Sequence, residues 1–103
     1  MRMIKWASDI IAGNLEEAQK YIGKAYELRE TNPTAADWCK DMAVKHLDFN
    51  KAGHELVKKL IADFQAGGKH SDLAPGMMAV YNDRHADLIR KAAEITGMIA
   101  AYK

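Results

Sequence analysis

Four histidines, His46, His54, His70 and His85, are the residues of this sequence best suited to hold a metal or move a proton. His46 and His54 stand eight residues apart in "AVKHLDFNKAGHELV", with Asn50 midway between them. Eight residues is about two helical turns, so a helix would place all three side chains on roughly one side. A carboxylate-bridged iron or manganese centre in a helix bundle asks for more. It takes a glutamate from each of two helices and a Glu-x-x-His pair from each of two others. This chain has no Glu-x-x-His: the residue three after Glu16 is Gln19, and the residue three after His46 is Phe49. Zinc needs three or four converging ligands, and no two histidines here have i, i+4 spacing. The one cysteine, Cys39, excludes a disulfide framework or a cysteine-rich zinc site within one chain. It reads as a small buried apolar residue. The pair Glu16-Glu17 reads as a solvated face. The stretch "AGGKHSD" lacks Walker spacing and follows no strand, although its Lys69 and His70 could contact an anion.

Three long helical segments must position these side chains. The first is expected from about Ile4 to Arg29, with Ile4, Ile11, Leu15, Ile22 and Tyr26 at helical spacing. Gly13 and Gly23 lie inside it, and the segment reads as one helix, bent if Gly13-Asn14 interrupts it. Asn32 is a good N-cap and Pro33 suits a first helical position. They start a second helix that should run to about Phe64. Its stripe reads Cys39, Met42, His46, Phe49, Gly53, Leu56 and Leu60, in alternating steps of three and four. A loop, "QAGGKHSDLAPG", leads to a third helix from about Met77 to Tyr102. Its stripe is Met78, Tyr81, His85, Leu88, Ala92, Ile95, Ile99 and Tyr102. The sequence therefore predicts an all-α single domain over residues 1–103, an antiparallel bundle of three long helices.

Axial level decides which histidines meet. His46 lies nineteen residues before Gln65, and His85 ten after Pro75. At about 1.5 Å per residue the two differ by roughly 13 Å, too far to share an ion. His54 is eleven residues before Gln65, level with His85 and with about Asp9 to Ile11. A His54, His85, Asp9 cluster and a His46, Gln19, Glu16 cluster are the two arrangements the levels permit. A metal site would draw on His46, His54 and His85. The competing reading makes His46 and His85 hydrogen-bonded residues at the edge of the core.

Composition narrows the partners. The chain is 49% hydrophobic and 28% charged, with a net charge of +1. Its charges alternate in sign, so no strong field for nucleic acid or an anionic membrane arises. Direct DNA binding is not expected. No run approaches the ~20 apolar residues of a membrane span, no signal peptide is apparent, and a cytoplasmic location is the default expectation. Three slender helices give a limited core, and Trp6, Ile10, Trp38, Val44, Val80 and Ile89 fall off the seams. Self-association, most simply a homodimer, would cover them. Tyr21, Trp38 and Tyr81 are candidate interface anchors where exposed, and Trp38, Tyr81, Arg84 and Lys69 form the candidate partner-binding set. No catalytic residue and no cofactor is expected.

The stretch "EAQKYIGKAYELRETNPTAADWCKDMAVKHLDFNKAGHELVKKLI", followed by "MMAVYNDRHADLIRKAAEI", resembles a group of small helical proteins carried by prophages of gut Firmicutes. The resemblance runs from about Glu17 to Lys103. It rests on Ala18-x-x-Tyr21, the Asn32-Pro33 break, His54, and Met78-Ala79-Val80-Tyr81 with His85. It implies a ferritin-like half-bundle whose family pattern has a first-helix Glu and a second-helix Glu-Glu-x-x-His. Here Gln19, Lys45-His46 and Phe49 occupy those positions, so the resemblance carries the scaffold and not the metal ligands. In size and character the chain is also similar to anti-CRISPR proteins of the type II-A class. That similarity implies a non-enzymatic inhibitor in a bacterial host, binding an RNA-guided nuclease or its guide complex. The alternative is a ferritin-like metal-binding bundle.

Overall fold

The computed structural model describes residues 2–66 and 76–102. It contains three helices, α1 (Arg2–Leu28), α2 (Pro33–Ala66) and α3 (Met77–Ala101), and no strand among the described residues. Helix α1 runs unbroken through Gly13 and Gly23. It ends where the Asn32 amide closes back on the Leu28 carbonyl at 2.7 Å. Asn32 then caps α2: its Oδ1 accepts the Ala35 amide at 3.1 Å, and Pro33 takes the first helical position. Gly76 enters α3 with φ 85°, a left-handed conformation that costs glycine nothing. The expected loop loses Gln65 and Ala66 to α2, and Lys69 and His70 lie outside the described residues.

Contacts set the directions. Asn14 meets His46, and Tyr21 meets Trp38 nearer the turn, so α1 and α2 are antiparallel. Helix α3 begins beside Asp9 and His54 and ends beside Tyr26 and Lys40. It therefore runs antiparallel to α2 and parallel to α1. The result is a rod of 57 × 17 × 17 Å. Ile4, Ile11, Leu15 and Ile22 of α1 are fully buried, each contributing about 1.5–3 kcal/mol by leaving water. Against them α2 sets Ala36, Cys39 and Ala43 nearer the turn and Leu47, Val57 and Ile61 farther along. The two helices approach closely at Gly53. A Cβ added at Gly53 would sit 2.9 Å from Ile11 Cγ1.

The expected stripes of α1 and α3 match the observed burial. That of α2 does not. Its buried residues are Ala36, Cys39, Ala43, Leu47, Asn50, His54, Val57 and Ile61. From the expected stripe only Cys39 is buried, while Phe49 is 56% and Leu56 40% exposed. The helix is turned by about one residue, or roughly 100°. The interior takes Ala36, Cys39 and Ala43 toward the turn and Leu47, Val57 and Ile61 beyond it, while Phe49 and Leu56 of the expected stripe stay outside.

Candidate functional site

Two places concentrate side chains with chemical or recognition potential. The first is a buried polar layer between α2 and α3. His85 and His54 are 8% and 9% exposed, and His85 Nε2 stands 3.1 Å from His54 Nδ1. One N–H lies between the rings, and the tautomer decides which donates. One turn before His54, the fully buried Asn50 donates its Nδ2–H to the Ile11 carbonyl at 3.1 Å. His54 Nε2 and Asn50 Oδ1 are both buried without a hydrogen-bond partner. Burial lowers the pKa of both histidines. Repulsion from His85 adds to the effect on His54, and Lys58 adds to that on His85, while Glu55 opposes both. Both rings are neutral at pH 7.

Asp9 stands at this level, as the axial count expects, but it does not join the histidines. Its carboxylate pairs with Arg84 at 2.7 Å and Lys5 at 3.0 Å. Those bonds, Arg84's first, hold its pKa below the usual carboxylate value. Nor does His46 join Gln19 and Glu16. Its Nδ1 lies 3.0 Å from Asn14 Nδ2, and its ring stacks on Tyr21 at 5.3 Å. His46 thus occupies the edge of the core and His85 the core itself. Among the described residues no group of three or more His, Cys, Asp or Glu is placed to hold a metal ion. The structure brings together two of the three candidate metal ligands, His54 and His85, and leaves His46 apart.

The second place is the side of the α1–α2 pair opposite α3. An open groove of about 330 Å³ runs between the two helices, lined by Asn14, Met42, Lys45, His46 and Phe49. Met42, Phe49 and Leu56, seven residues apart, lie about 120–160° around α2 from His54, where α3 docks. On α1, Met3 and Ile10 take the corresponding side, with Trp6 at its outer edge. Six of the exposed large hydrophobic residues, Met3, Trp6, Ile10, Trp38, Phe49 and Leu56, belong to this face. Val80 and Ile89 lie on α3.

The candidate partner-binding residues do not form one surface. Trp38 is 56% exposed and makes an edge-on contact with Tyr21 at 5.7 Å. Tyr81 is 8% exposed, so its place is in the core and not at an interface. Arg84 is engaged by Asp9 on the α3 side of the rod. Lys69 lies outside the described residues. Met3 and Asn14 carry no sequence signal that marks them as surface and groove residues. The seven-residue spacing of Met42, Phe49 and Leu56 was the signal for the face they share.

Compared with known protein families, with curated proteins and with solved structures, the chain matches none.

Proposed function

We propose that this chain is a non-enzymatic binding protein of the prophage accessory type, one that inhibits an RNA-guided nuclease of the type II-A class in a bacterial cytoplasm. One contrast supports a binding role. Among the described residues, the groups best able to do chemistry are engaged with one another: His54 with His85, His46 with Asn14, Asp9 with Arg84. Eight large apolar side chains among the described residues, by contrast, stand 40–57% exposed, a pattern that marks contact surfaces. The nuclease as target rests on the resemblance in the sequence. Such enzymes hold a heteroduplex in a basic channel. A chain of net charge +1 has no excess of acid with which to imitate nucleic acid, so inhibition would proceed by shape-specific contact with the protein or its guide complex.

The test is a cleavage assay with purified type II-A nuclease and guide, paired with a pull-down. Suppressed cleavage at near-equimolar protein, with co-purification, supports the reading. Unchanged cleavage at large excess removes it.

A second reading, a metal-binding bundle, is favoured by one observation. His54 and His85 touch in the core, and His54 Nε2 has no partner. The metal would need further ligands beyond these two.

A further inference from the structure

We propose that the apolar face of the α1–α2 pair is occupied by a second copy of this chain, packed antiparallel about a two-fold axis that crosses α2 at Ala52–Gly53. Helix α3 covers one side of the pair through His85, Arg84 and Tyr102. The other side carries six of the exposed large hydrophobics. Two such pairs placed face to face make a four-helix core, with an α3 on each outer flank.

Three observations choose a second copy as the occupant. The first is register. A two-fold axis at Ala52–Gly53 sets Phe49 of one copy opposite Leu56 of the other, and by symmetry does so twice. The exposed Ala52 flanks the axis and allows the helices to approach. The second is charge. The same register places Lys45 opposite Leu60 and one turn from Asp63 of the second copy. Neither Lys45 nor Asp63 has an ion-pair partner among the described residues. The two charges are thus left free at the two ends of the stripe. The third is area. The axis overlaps α2 with its copy over residues 39–66, about 40 Å, on a rod 17 Å wide, which approaches the about 800 Å² per partner of a specific interface. An isologous contact uses the same patch on both copies, which suits one self-complementary face.

The experiment is sedimentation velocity on the purified full chain over a concentration series. Phe49→Glu, Lys45→Asp and the exchange Lys45→Asp/Asp63→Lys are measured alongside. The expected wild-type mass is twice the 11.5 kDa of the monomer. Phe49→Glu should raise the dissociation constant by at least about 100-fold. Its helical circular dichroism should not change, because Phe49 makes little of the monomer's core. Lys45→Asp should weaken the dimer by about fivefold, and the double exchange should restore it. Monomer mass at every concentration overturns the proposal, as does a dimer indifferent to Phe49→Glu. A dimer lost in Phe49→Glu but not rescued by the charge exchange overturns the register. A monomer whose nuclease binding disappears in Phe49→Glu assigns the face to the nuclease instead.

Discussion

His85 Nε2 lies 3.1 Å from His54 Nδ1, a contact between two neutral imidazoles that fastens α3 to α2 inside the core. A proton added to either ring would be poorly solvated, and two would repel. Burial lowers both pKa values below that of an unfolded histidine. Between the unfolded value, about 6.5, and the lower folded ones, the unfolded chain binds more protons. The stability from this pair is therefore fully present above about pH 6.5 and is lost as pH falls through the folded values. Thermal melting from pH 7.5 to 5 should show a falling Tm, by about 4–8 °C for each kcal/mol lost. The double variant His54→Leu/His85→Leu should flatten that slope. Asp9, whose pKa is also lowered, contributes only at more acid pH.

Two glycines in helix interiors should respond oppositely to the same change. Nothing lies within 4 Å of a Cβ built at Gly13, whereas one at Gly53 meets Ile11 Cγ1 at 2.9 Å. Gly13→Ala should stabilise by up to about 1 kcal/mol through helix propensity. Gly53→Ala gains the same propensity but must push α1 away. A net loss of about 1 kcal/mol is expected from overpacking, read as opposite shifts in urea midpoint.

Asn50 offers a test of buried polarity. Its Nδ2 donates to the Ile11 carbonyl and its Oδ1 has no partner. Asn50→Leu removes the donor and the orphaned acceptor together, so it should change stability by less than about 1 kcal/mol. Asn50→Asp turns a carboxylate toward a carbonyl with no cation in place, and should cost about 3 kcal/mol or more at pH 7. Urea denaturation of the two variants separates the cases.

The metal question has a direct measurement. Elemental mass spectrometry of the purified, untagged chain in chelator-free buffer should return only trace iron, manganese and zinc. Added chelator should leave the Tm unchanged. A stoichiometric metal that is lost in His54→Ala would establish the metal-binding reading.

Asn32-Pro33 and the stripes of α1 and α3 were legible because each signal is local and singular: one cap, one apolar side. The meeting of His54 with His85 was legible because axial level follows from counting residues to a turn. Helix α2 was harder because it carries two stripes one residue apart. Met42, Phe49 and Leu56 are larger and draw attention. The interior went to Ala36, Ala43 and Leu47 because Ile11, Leu15 and Ile22 already fill the space that large partners would need. That choice depends on the distance between two backbones, which no single helix records in its own pattern. The pairing of Asp9 with Arg84, and not with the histidines, likewise depends on side-chain reach in three dimensions.

Helix α3 packs on the pair through Tyr81, Leu88 and Ile95, and polar and aromatic contacts pin it at two well-separated levels. Arg84 and His85 fasten its first half, and at its far end the Tyr26 hydroxyl donates to the Met98 carbonyl at 2.8 Å while Tyr102 packs edge-on against Tyr26. About 20 Å of helix separates the two attachments. Helices α1 and α2 share the more extensive contact, and residues 29–32 join them directly. The hairpin is thus expected to be the last part to open, with α3 separating from it first. Amide hydrogens of α3 should exchange sooner than those of α1 facing α2, so the rod has two tiers of permanence along a single chain.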